Sequence, residues 1–288
     1  MTRIKENIII IILILIELLI IINQEEIISN IYINSKLYIT KIFPSLFPTM
    51  LLGLLLVKNN VQIIIPKFIK KIFNKLFNFD DNMTTIFISS MICGAPNNAI
   101  FINEYLNNNL IDEKTAENLL CCTHFINPLF VISITSVMFS IKISILILIT
   151  IFLSNLIKAY ILKKHFKPLK KQEIIINNNF IQTFNISVKT ALNTSINIFG
   201  LIIIFNILIS LITNIIPLNN YINTLINMLL EMTSGLIRLN DLNINNILKI
   251  ILTYYSLSFG GICIIMQTIS QITNKNIKYK KYFMFRLF

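Results

Sequence analysis

Apolar residues in this chain come in long runs, not in alternating or one-faced patterns. Ile8 to Ile22 is almost unbroken, and Ile143 to Leu153 and Ile198 to Ile212 repeat the pattern. A hydrocarbon core of roughly 30 Å needs about 20 mainly apolar helical residues to cross it. Several segments reach or approach that length, so the pattern predicts an all-α polytopic membrane protein of about six transmembrane helices. Two further segments, Thr84 to Ile102 and Asn223 to Leu236, are short and broken in the middle. One break is Cys93-Gly94-Ala95-Pro96-Asn97-Asn98 and the other Thr233-Ser234-Gly235. Gly permits tight backbone and Pro stops a helix. Both segments are expected to dip into the membrane and return.

Charge fixes the orientation. Only 13% of residues are charged, against about 25% in a soluble domain. The net charge of +12 lies in the gaps between apolar runs, as in cytoplasmic loops beside membrane spans. It is not read as a nucleic-acid groove, which would set lysines along one helix with aromatics between them. The basic stretches are Lys58 to Lys75, Lys158 to Lys171 and Lys275 to Arg286. All three fall in the cytoplasm only if the broken segments re-enter. Both termini are then cytoplasmic, in a multi-pass protein of the inner or plasma membrane. Glu25 and Glu26 lie outside. Arg3 and Lys5 precede the first run and no small-residue cleavage site follows it, so Ile8 to Ile22 reads as an uncleaved anchor. Glu17 within it either faces other helices or water, or is protonated.

This topology produces an internal symmetry. Each half has a span, a broken re-entrant segment and a polar-centred span. The six glycines fall in matched places: Gly53 and Gly200 in the opening spans, Gly94 and Gly235 at the re-entrant breaks, and Gly260 and Gly261 in the last span, where the first half has Asn127-Pro128. Interrupted segments in corresponding positions of inverted halves point to a transporter's binding site.

The candidate chemistry sits at these interruptions. Pro128 frees backbone carbonyls near Thr123 and His124, and Thr123, His124 and Asn127 share about one helix face by their spacing. They either form a small polar ligand or cation site or satisfy the kinked backbone. Glu231, beside Thr233, either binds a cation or proton or caps a freed helix N-terminus. Gln267 is the polar contact expected from the last span; Ser256 and Ser258 are read as packing. The substrate-binding set is therefore Gly94, Pro96, Asn97, Asn98, Thr123, His124, Asn127, Glu231, Thr233, Gly260, Gly261 and Gln267. Cys93, Cys121, Cys122 and Cys263 lack ligand or disulfide spacing and read as buried thiols. No metal or cofactor is expected, and His124 beside Cys121 and Cys122 has no third orienting group for nucleophilic catalysis, so no enzyme is expected. Asp112-Glu113-Lys114-Thr115-Ala116-Glu117 reads as a capped helix start with surface charges.

With these residues in hand, the chain resembles the nucleoside-recognition (Gate) domain membrane proteins, and among them the sporulation integral membrane proteins of the YlbJ type. Phe43-Pro44-Ser45-Leu46-Phe47-Pro48 is similar to their opening motif, and Cys93 to Ala99 to their re-entrant motif. Glu117 to Phe130, Leu229 to Gly235 and Ser258 to Gln267 complete the series, over about residues 36 to 285. Asn98, His124, Asn127 and Ile265 depart from it. The resemblance implies a first Gate-like half over 31–140 after an anchor at 1–30, a connecting span and basic loop over 141–180, and a second half over 181–288. It also implies an inner-membrane protein of a spore-forming lineage, needed for spore formation. Two functions remain open: a transporter-like protein acting on a small polar solute or ion, and a non-transporting scaffold for spore-envelope assembly. The lipid bilayer is the constant partner, and a homo-oligomer is left open.

Overall fold

A computed structural model describes residues 2–59, 65–168, 179–216 and 218–287, without the side chains of 2–6 and 9. Parts of two basic stretches, 60–64 and 169–171, lie outside the described residues. The described residues are all-helical, with no strand. In chain order the helices are α1 (Thr2–Ile22), α2 (Gln24–Leu37), one π-helical turn (Tyr38–Ile42) and α3 (Phe43–Lys58). There follow α4 (Lys67–Phe77), α5 (Asp81–Cys93), α6 (Asn97–Asn107), α7 (Glu113–Cys122), α8 (Pro128–Met138) and α9 (Ile141–Leu162). The second part holds α10 (Phe180–Ile215), α11 (Asn220–Leu230), α12 (Met232–Asp241), α13 (Asn246–Phe259), α14 (Gly261–Ser270) and α15 (Lys280–Arg286).

Among the described residues, four helical stretches are long and apolar enough to cross a membrane: Gln24–Lys58, Ile141–His165, Phe180–Ile215 and Asn246–Ser270. Ile10–Ile22 and Pro128–Met138 are shorter apolar helices. The α7–α8 stretch does not join them as a long span because residues 123–127 leave the helix. Helices α2 and α3 form one continuous rod through the π turn.

Side chains on the long helices divide as a bilayer demands. Leu153, Ile157, Ile196 and Ile204 are exposed, whereas Ile147, Ile151, Ile198 and Ile202 are buried in one continuous core. Lipid tails are as apolar as these exposed residues, so they need no protein cover.

Both broken segments expected to re-enter fold into hairpins: α5 packs along α6 and α11 along α12. Asn82, at the start of α5, donates through Nδ2 to the Leu110 carbonyl just past α6, at 3.1 Å, so the first hairpin returns to where it began. In α11–α12 the corner is Glu231, not Thr233-Ser234-Gly235 as expected. Gly235 lies inside α12, where a Cβ would strike the Met228 backbone, so its role is close helix approach. Gly53 and Gly200 also differ: a Cβ at Gly53 would meet Cys93 and Phe101, and at Gly200 it would meet nothing.

The three basic stretches gather at one end of the bundle. Lys163 donates to the Lys75 carbonyl and Asn78 to the Phe166 carbonyl. Asn118 donates to the His165 carbonyl and accepts from Lys281 at 2.6 Å. At the opposite end Glu26 accepts from Asn214 at 2.7 Å. Helix α4 does carry Lys67, Lys70, Lys71 and Lys75 interleaved with Phe68, Phe73 and Phe77. Phe77 is buried and Phe73 packs against the core, while Phe68, Ile72 and Leu76 are exposed, the arrangement of a helix lying in a membrane interface. Lys275–Arg286 is not a loop throughout, because α15 turns Tyr282 and Arg286 into the core. Glu113 and Glu117 are more than surface charges: they accept from Asn274, Asn276 and the Lys278 amide and tie down this tail.

Candidate functional site

Four helix interruptions meet inside the bundle. The first is the corner Gly94-Ala95-Pro96, where the Ala95–Pro96 bond is cis. The Ala95 amide donates to the Phe125 carbonyl at 2.6 Å, which couples this corner to the second interruption, residues 123–127. A Cβ on Gly94 would run into the Asn127 backbone. The third interruption is Glu231 and the fourth is Gly260, both φ-extended or left-handed residues between helices. A Cβ on Gly261 would come within 3.1 Å of the Met232 amide nitrogen, and one on Gly260 within 2.9 Å of His124 Nε2. The second half's break thus touches both its own hairpin and the first half's break.

Thr123, His124 and Asn127 do not share a helix face, because α7 ends at Cys122 and α8 restarts at Pro128. Proline has no N–H to lose at a first helical position, so it favours a restart there over a kink in a continuing helix. Asn127 caps that restart: its Oδ1 accepts from the Leu129 and Phe130 amides at 2.9 and 3.2 Å, and its Nδ2 donates to Thr49 Oγ1 at 2.8 Å. Glu231 caps α12 in the same way. Its carboxylate accepts from the Thr233 amide at 3.0 Å and the Ser234 amide at 2.7 Å. A carboxylate suits this place, since helix N-termini carry partial positive charge.

Between these two caps lies a cavity of about 30 Å³ measured at water centres. That exceeds the roughly 10–15 Å³ a single water needs on this measure. Its polar lining is Asn127, Glu231, Thr233 and Gln267; Ala95, Ile126, Ile198 and Ile264 are among the apolar walls. A second cavity of about 170 Å³ shares Ile42, Phe130 and Thr233 with it. That vestibule runs past Val137, Met138 and Asn240, at the ends of α8 and α12 away from the basic stretches.

The other expected site residues stand behind the cavity and do not line it. Asn97 and Asn98 are fully buried, and each leaves its Oδ1 without a partner while Asn98 Nδ2 donates to Thr123 Oγ1 at 3.3 Å. His124 shares a 2.7 Å hydrogen bond with the Tyr282 hydroxyl through Nδ1, and its Nε2 has no partner. Gly94, Pro96, Gly260 and Gly261 shape the corners. Gln267 donates to Cys263 Sγ at 3.2 Å. The four cysteines are buried and free.

Four contributors carry no local sequence signal. Thr49 and Asn206 come from opening spans, where they hold Asn127 and the Ser234 hydroxyl beside Glu231. Arg286 donates to the Cys121, His124 and Ser258 carbonyls at 2.9, 3.4 and 3.2 Å. It thereby neutralises the carbonyl ends of α7 and α13, where partial negative charge collects. Asn155 donates to the His124 carbonyl at 3.2 Å.

No family model, no curated protein and no solved structure matches this chain.

Proposed function

We propose that this chain is a transporter-like integral membrane protein that binds a small polar solute or ion where its broken helices meet. The observation that carries the reading is the cavity shared by Asn127, Glu231, Thr233 and Gln267. Its polar groups come from both halves; Asn127, Glu231 and Thr233 sit at or beside helix breaks, and Gln267 faces them from within α14. Irregular backbone at membrane depth persists only where protein or water covers it, and half-helix termini aimed at one point are how transporters of inverted repeats hold their cargo.

The element series supports an inverted repeat. The rod α2–α3, the hairpin α5–α6 and the broken pair α7–α8 answer to α10, α11–α12 and α13–α14. The first hairpin dips from the basic end and the second from the opposite end. Positive-inside logic makes the basic end cytoplasmic, so the vestibule opens to the far side. The motif resemblance to the sporulation proteins of the Gate group adds a role in spore formation at the inner membrane, with the lipid bilayer as constant partner.

The test is ligand-dependent thermal stability of the purified chain in detergent, against nucleosides, nucleobases, divalent cations, dipicolinate and small organic acids. A ligand at about 100 times its dissociation constant adds roughly 2.7 kcal/mol. The reading expects one class to raise the midpoint and Gln267→Leu to erase that shift. A flat response across the panel from a folded sample sinks it in favour of a scaffold.

A further inference from the structure

A buried lysine lies outside the cavity, on the flank formed by α9, α13 and α15. Lys158 is only 4% exposed, and its Nζ has no hydrogen-bond partner. A lysine near a helix end ordinarily snorkels to water; this one does not. Its charged neighbour is Arg286, a like charge, and Arg286 is already spent on three carbonyls. The two ion pairs among the described residues, Lys58–Glu104 and Lys70–Asp81, are elsewhere. An ammonium buried without a partner is costly, and an anion from outside the chain would offset that cost.

The space beside Lys158 says what kind of anion. It is a groove of about 540 Å³ whose lining includes Leu153, Ile157, Ile161, Tyr254 and Met284. Most of its wall is apolar, and Leu153, Ile157 and Met284 also face outward. A water-soluble anion would gain nothing from such a wall, whereas an acyl chain would. Lys158 is the first lysine of its basic stretch and stands five residues before Lys163, which meets the Lys75 carbonyl at the basic end; the rise between them is about 7.5 Å at 1.5 Å per residue. That is a headgroup's depth.

We infer that this groove binds an anionic membrane lipid, its acidic headgroup on Lys158 and an acyl chain along Ile157 and Leu153. The site is independent of the transport reading, since it shares no lining residue with the cavity.

The experiment uses the full chain, stripped of lipid in detergent, with thermal stability and native mass spectrometry as readouts. Phosphatidylglycerol, phosphatidylcholine of the same chains and inorganic phosphate are added separately. Phosphatidylglycerol should bind about tenfold tighter than phosphatidylcholine, the order of one charge-assisted contact. Lys158→Met should abolish that preference without lowering the lipid-free midpoint, and Lys158→Arg should keep it. Leu153→Trp, on an exposed wall that tolerates substitution, should weaken both lipids. Equal binding of the two lipids, a preference that survives Lys158→Met, unchanged lipid binding in Leu153→Trp, or a stability shift reproduced by phosphate alone would each overturn the proposal.

Discussion

The two hairpin-and-break units follow the same order of helices with different corner chemistry. In the first, a three-residue corner at Gly94-Ala95-Pro96 meets a five-residue loop at 123–127, and a neutral amide, Asn127, caps the restarted helix. In the second, single residues turn both corners, Glu231 and Gly260; the carboxylate cap sits at the hairpin corner, and the break at Gly260 has no side-chain cap. Both caps face one cavity. The two units share an order of elements, and their side-chain caps differ in place and charge. On the proposed reading, a solute in the cavity would meet the Glu231 carboxylate on one wall and the Asn127 amide on the other.

The largest effect should come from the corner that has no slack. Gly94 sits at φ +73° with the Asn127 backbone against it, a conformation essentially confined to glycine. Gly94→Ala should cost roughly 3 kcal/mol or more, read as a lower thermal midpoint or failed assembly in detergent. Gly235→Ala, pressed on the Met228 backbone, should cost about 2–3 kcal/mol. If it proves neutral, the second hairpin is looser than the first and the comparison fails there.

Arg286→Met should come next. It strips the donors from the Cys121, His124 and Ser258 carbonyls, at about 1–3 kcal/mol for buried groups left unpaired. Glu231→Gln keeps the shape but gives up an acceptor at the Thr233 and Ser234 amides, at about 1–2 kcal/mol. Its effect on solute affinity should exceed that of Asn127→Asp only if the second half's charge is what the solute reads. The smallest change should be Gly200→Ala, where a Cβ meets nothing; thermal unfolding should show a gain within about 1 kcal/mol.

Much of this arrangement is legible in the chain, for reasons that differ by residue. The long spans follow from unbroken apolar runs, and the Gly94–Pro96 corner from two residues that break helices. The re-entrant reading followed from charge, and the basic stretches do meet at one end. The sequence points to a corner at Thr233-Ser234-Gly235 and not at Glu231, because glycine can serve a close packing contact as well as a turn and spacing does not distinguish them. The spacing of Thr123, His124 and Asn127 predicts one helix face only if the helix is kinked at Pro128, and it instead stops and restarts there. In the sequence Lys158 and Arg286 belong to basic stretches: composition counts charges but not which way α9 and α15 turn them. That direction is set by long-range packing on α7.

The most direct test of the central claim is side-specific labelling of Thr233→Cys, a position shared by the cavity and its vestibule. The native thiols are all buried, so background is low. A small membrane-impermeant thiol reagent should react from the face opposite Lys75, Lys163 and Lys281, and a ligand found in the stability panel should slow that reaction. Labelling from neither face, or labelling indifferent to every ligand that stabilises the protein, would contradict a water-connected solute site at the meeting point of the breaks.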